Sequence, residues 1–172
     1  MSNPSKAKGD RYELEATAHI VEVYPDLVVW NAQRMLGAGR KEDIGDLLVF
    51  PDVAVQVKAF AAKAMSAGLY SAAKGAEAQR NNARHPYALG LVLVPRARKV
   101  GAVRWAASVL TWPVEAEHQV HSNSLSALEA VKSAGPLSRL TAQVFRKNTA
   151  PIIIASLDTW VSAYRAASNR EV

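Results

Sequence analysis

Two short apolar runs, each broken by polar residues, constrain this chain more than any other feature. Gly45-Asp46-Leu47-Leu48-Val49-Phe50 carries a carboxylate near its start. Val53-Ala54-Val55-Gln56-Val57-Lys58 carries an amide and an ammonium. The apolar content of both runs predicts neighbouring strands, at about 46–50 and 54–60, joined through Pro51-Asp52. Charged and amide groups in such strands are costly unless they are paired or bind something. Side chains alternate along a strand, so Gln56 and Lys58 share a face. Asp46 joins them only if the antiparallel register pairs it with an even-numbered residue. A two-residue turn at Pro51-Asp52 would pair Asp46 with Val57 and break the set. A three-residue connection through Val53 would pair it with Lys58 and Leu48 with Gln56, and a bulge would also serve. Proline followed by aspartate reads as turn chemistry and not as part of a site.

The rest of the pattern alternates helix and strand. Asp10 is placed to cap a first helix that runs to about Tyr24 and stops at Pro25. Leu27-Val28-Val29-Trp30 reads as a strand, and residues 37–43 as a loop rich in glycine and charge. A helix over 71–84 and a strand from Tyr87 to Pro95 follow. Residues 96–101 read as a basic turn, and 103–112 fit either helix or strand. Helices are expected at Ser124–Ala134, ended by Gly135-Pro136, and at 137–147. A strand at 151–155 and a helix from Leu157 to Ala167 close the chain. This order predicts one mixed α/β domain over residues 1–172, with residues 1–8 flexible, a possible linker near 115–126, and 115–172 as a possible C-terminal extension.

Composition narrows the function classes. The 172 residues are 49% hydrophobic, enough for one real core. The absence of cysteine excludes disulfides and thiolate zinc sites. The first ten residues are polar and charged, and no apolar run approaches the ~20 residues that span a bilayer, so a soluble cytoplasmic protein is expected. The formal charge is +6 and the pI about 9.7. That surplus favours a polyanion such as nucleic acid as partner.

The first helix supplies a further candidate. Glu13, Ala16, Ile20 and Tyr24 form one stripe, which puts Glu13 at the head of an inward-facing row bordered by Thr17. Glu15, His19, Glu22 and Asp26 form the polar stripe. Glu13, Asp46, Gln56 and Lys58 together suit a divalent metal and a phosphate.

Four segments in order carry a family resemblance: Lys8-Gly9-Asp10-Arg11-Tyr12-Glu13, Arg34 with the Gly37-Ala38-Gly39 loop, Gly45-Asp46, and Gln56-Val57-Lys58. They resemble the PD-(D/E)XK nuclease superfamily, within it the archaeal-type Holliday-junction resolvases and their phage or bacterial relatives. The resemblance implies a restriction-endonuclease-like mixed central sheet flanked by helices, with extra C-terminal helices. It implies a DNA endonuclease using Mg²⁺ or Mn²⁺ in recombination or repair, with Glu13, Asp46 and Gln56 as metal ligands. Lys58 would position the attacking water or neutralise the scissile phosphate. A homodimer acting on four-way junctions is the expected form. Gln56 stands where an acidic residue is usual and is similar to Mrr-type nucleases; Ala38 replaces a loop serine. The alternatives are an Mrr-like or repair nuclease on linear duplex, and a non-catalytic DNA-binding module.

Lys8, Arg11, Arg34, Arg40 and Lys41 lie near these motifs and could hold phosphates. Gln79, Arg80, Asn81, Asn82 and Arg84 crowd a helix end; the resemblance implies a glutamine or arginine from such a helix near the site, with Arg80 able to reach DNA, and the plainer reading is an exposed polar terminus. Arg96, Arg98 and Lys99 form a compact basic turn. His118 and His121 are spaced as HxxH without an evident third ligand. Trp105, Trp112 and Trp160 are expected in the core.

Overall fold

A computed structural model describes residues 4–35, 43, 45–97 and 99–169. The first helix, α1, spans Pro4–Val23. Three strands follow, β1 (Gln33–Arg34), β2 (Leu47–Leu48) and β3 (Val53–Lys58). Helix α2 (Met65–Ala83) then crosses to β4 (Tyr87–Leu93), which pairs parallel to β3. The chain continues through β5 (Trp105–Val109), β6 (Gln119–His121), α3 (Ser124–Ala134), β7 (Thr141–Arg146), β8 (Thr149–Ser156) and α4 (Leu157–Ala167). The eight strands of the described residues form one sheet in the order β1-β2-β3-β4-β5-β8-β7-β6. Among the described residues, only the β3–β4 and β6–β7 pairs are parallel.

Two apolar clusters cover the two faces. One joins Ala16 and Ile20 of α1, and Trp160, Val161 and Tyr164 of α4, to Val53, Val55 and Val57 of β3 and their neighbours. The other joins Leu69 and Ala72 of α2 and Leu128 and Val131 of α3 to Val92, Ala106 and Ile152. Burying aliphatic surface at ~25 cal/mol per Å² drives both layers. Gly90 lets α2 lie close on the sheet: a Cβ there would come within 2.8 Å of the Ala72 backbone. Ser108 Oγ bridges the same contact by donating to the Leu69 carbonyl at 2.7 Å.

The α/β architecture with a mixed, helix-flanked sheet agrees with the pattern of the sequence. The expected helices at 124–134 and 157–167 form at those bounds. The segment 103–112, open between helix and strand, contains β5. Several expectations are corrected. Helix α1 starts six residues before Asp10, with Pro4 in its first turn, a position that tolerates the missing N–H. Residues 4–8 are therefore helical, and Asp10 bonds Arg34 instead of capping. Residues 27–30 are turn and irregular structure, not a strand: Leu27 is buried, and Val29 N–H donates to the Val49 carbonyl at 2.8 Å. Helix α2 begins at Met65, ahead of the expected 71. Residues 137–147 are not a helix but hold β7, and 115–126 is no linker, since β6 lies within it. Residues 115–172 thus supply three strands of the shared sheet.

Candidate functional site

Leu47 stands opposite Val55 in the β2–β3 pair. One step further along that register sets Asp46 beside Gln56, an even-numbered partner, which matches neither the two-residue turn nor the three-residue connection weighed from sequence. The regular ladder ends there: Asp46 N–H donates to the Val55 carbonyl at 2.8 Å, and Val57 N–H donates to Asp46 Oδ2 at 2.8 Å. Gly45, at φ 126°, takes a backbone conformation that a side chain would strain. The aspartate is therefore positioned by the strand it faces.

Three of the four residues singled out in the sequence converge. Glu13, Asp46 and Lys58 line one pocket of about 350 Å³ between α1 and the end of β3, together with Lys8 and Tyr12. Glu13 Oε2 accepts from Arg34 Nε at 3.0 Å, and the same guanidinium bonds Asp10. Arg34 thus orients the carboxylate. Thr17 Oγ1 donates to the Glu13 carbonyl at 2.8 Å, which explains how a polar residue is accommodated in the buried stripe.

Burial pushes the Glu13 carboxyl above the usual range, and the nearby Asp46 charge adds to the rise; Arg34 opposes it. Asp46 is raised by burial, against the Val57 N–H bond and the Lys58 charge. A carboxyl whose ionisation is disfavoured by burial and by a neighbouring carboxylate marks a place where a cation relieves repulsion. Among the described residues no group of three or more His, Cys, Asp or Glu is gathered. Glu13 and Asp46 fit a hard divalent ion as two oxygen donors, the remaining positions falling to neutral oxygens.

Gln56 lies apart from the pocket lining. Its side chain is buried beneath α2, where a Cβ on Gly75 would come within 2.0 Å of Oε1. That oxygen has no hydrogen-bond partner among the described residues. In the sequence Gln79 is one of a crowd of helix-end residues, open between a place near the site and an exposed terminus. It is 1% exposed, not part of an exposed helix end. Its Nε2 donates to Asp43 Oδ1 at 2.8 Å, and a hydrogen bond from Gln79 also favours the charged form of Asp46. A signal for it existed: Met65, Leu69, Ala72, Ala76 and Gln79 fall on one helical stripe and are all buried.

The basic candidates separate. Lys8 lines the pocket and Arg11 the cleft beside it. Arg80 pairs with Glu77 and lines a small depression with Tyr87 and Trp112. Arg40, Lys41, the Gly37-Ala38-Gly39 loop and Arg98 lie outside the described residues. On the expected polar stripe of α1, Glu15 pairs with Arg104, and Asp26 beyond the helix pairs with Arg165. His118 and Thr141 Oγ1 are hydrogen-bonded at 2.8 Å, so this histidine serves packing within the β6–β7 region. Trp105, Trp112 and Trp160 are buried, as expected. Compared with protein-family models, curated proteins and solved structures, the chain matches none.

Proposed function

We propose that the protein is a metal-dependent DNA endonuclease of restriction-endonuclease-like type that hydrolyses phosphodiester bonds. The observation that carries this reading is the convergence of Glu13, Asp46 and Lys58 on one pocket beside a basic cleft. Residues distant in sequence and opposite in charge meet there, with both carboxylates held by defined donors. A bound Mg²⁺ or Mn²⁺ would polarise the scissile phosphate and ease the charge that builds up during hydrolysis. The chain's own groups supply the rest. Arg34 and the Val57 N–H keep Glu13 and Asp46 aimed at the pocket. The Lys58 ammonium neutralises a phosphate oxygen and orients the attacking water. Lys8 contacts the flanking backbone. By resemblance the preferred substrate is a branched structure such as a four-way junction, cut by a homodimer because two symmetric cuts need two sites.

The test compares labelled junction, flap and linear duplex with Mg²⁺ or Mn²⁺. Cleavage that disappears in Lys58→Ala and Asp46→Ala supports the nuclease, and the preferred substrate separates a resolvase from a duplex or repair enzyme. A second reading is favoured by the position of Gln56, which leaves two carboxylates alone at the pocket. It is a DNA-binding module without catalysis. That reading wins if no substrate is cut and Asp46→Ala leaves DNA binding intact.

A further inference from the structure

The carboxylate pocket adjoins a larger cleft of about 430 Å³, and the two share Lys8, Tyr12 and Ala59. The cleft has a distinct composition. Lys8, Arg11, Arg96 and Arg104 line it against a single carboxylate, Glu15. Arg104 is already engaged, with its Nε donating to Glu15 Oε1 at 3.0 Å. Lys8, Arg11 and Arg96 have no ion-pair partner among the described residues. Arg96 holds a left-handed backbone at φ 59°, an uncommon state for a non-glycine residue. Two half-buried rings, Tyr12 and Phe60, also line the cleft. Phe60 is seated on α2 at Gly68, where any Cβ would meet its ring at 2.5 Å. Cations supply phosphate contacts, and aromatic rings supply stacking that every base accepts. The volume lies in the usual range for a pocket that holds one small molecule.

We propose that this cleft takes one unstacked nucleotide of a DNA strand, its phosphate on Arg11 and Arg96 and its base against Tyr12 and Phe60. Nucleotide capture stands independently of catalysis; only the placement of that nucleotide beside the cut rests on the proposed nuclease reading. The cleft would select DNA with an unpaired nucleotide, because a paired base must first be extracted from its stack.

The experiment measures binding in EDTA, so no cleavage is needed. Fluorescence anisotropy compares a perfect duplex with the same duplex carrying one unpaired 2-aminopurine. Wild type should bind the second about tenfold more tightly, the scale set by stacking one base on an aromatic side chain. The 2-aminopurine emission should change on binding. Arg11→Ala and Arg96→Asn should each reduce the preference to near unity; asparagine tolerates the left-handed backbone and removes the charge. Both side chains are exposed, so folding is not at stake. Competition by excess deoxynucleoside monophosphate supports the same pocket. A monophosphate that binds more tightly than the strand overturns the assignment to a strand. Equal affinity for the two duplexes, or variants that keep the preference, overturn the proposal. If the preference holds while Mg²⁺ or Mn²⁺ yields no cleavage, the cleft assignment stands and the nuclease reading falls. Metal-dependent cleavage by wild type, with equal affinity for the two duplexes, does the reverse.

Discussion

Replacing Gly75 with alanine tests how closely Gln56 is seated under α2. In an open helix the change stabilises by about 1 kcal/mol, because glycine gives up more backbone entropy than alanine on folding. Here the added Cβ would lie 2.0 Å from Gln56 Oε1 and 2.7 Å from both Cδ and Nε2. Comfortable contact begins at about 3.5 Å, so the amide must retreat by more than an ångström inside a buried strand. Overpacking of that kind costs about 1–3 kcal/mol. The balance is a loss of about 0–2 kcal/mol, a fall in Tm of up to about 8 °C for a chain of this size. In a Gln56→Ala background the obstruction is gone, and Gly75→Ala should stabilise by about 1 kcal/mol. The sign of the glycine substitution therefore depends on residue 56, with a coupling of about 1–3 kcal/mol in a double-mutant cycle. Urea denaturation of the four proteins measures it. An equal gain from Gly75→Ala in both backgrounds would refute the placement of Gln56 against α2.

Other outcomes follow from the same contacts. Burial raises Asp46 above the usual carboxylate range, so the folded protein binds that proton more tightly than the unfolded chain. The ionised group costs stability at neutral pH, and the cost disappears as pH falls through the raised value towards the ordinary ~3.9. Asp46→Asn, which retains an acceptor for Val57 N–H, should melt at or above wild type at pH 7, with the gap closing on acidification; a variant less stable at pH 7 contradicts this. Added Mg²⁺ should raise the Tm of wild type and not of Asp46→Asn, since a ligand stabilises only the state that binds it. Tyr24 OH donates to Asp158 Oδ1 at 2.6 Å, tying the end of α1 to α4. Tyr24→Phe should cost about 1.5–3 kcal/mol in chemical denaturation, and a loss below a few tenths would show the bond to be inconsequential.

Strands β3 and β4 and helices α3 and α4 could be read locally, because their apolar spacing, caps and breakers agree with their final environment. Ser156 caps α4 by accepting from Thr159 N–H at 3.1 Å, and Asn123 caps α3 through Ser126 N–H at 2.9 Å. Strand β7 was misread because its apolar residues also suit a helix. Its identity depends on a two-residue turn between Arg146 and Thr149, with Asn148 at φ 60°, and on pairing with β8. The site divided in the same way. Asp46 and Lys58 were legible because polar groups interrupt apolar strands. Gln79 closes an apolar helical stripe but reads in the sequence as one of several polar helix-end residues, and packing decides that it is buried.

By itself, then, the sequence determined a mixed α/β protein, its principal helices, and a carboxylate, a lysine and a helix glutamate worth bringing together. Periodicity reports which side of an element avoids water, and that property is local. The tertiary structure alone decided that β8 inserts between β5 and β7, that Asp46 takes its partner from the β3 backbone, and that Gln56 lies beneath Gly75. It alone set a basic, ring-lined cleft beside the carboxylates. Those outcomes depend on which surfaces meet across long stretches of chain, and pairing register and helix approach settle them only when the whole sheet is assembled.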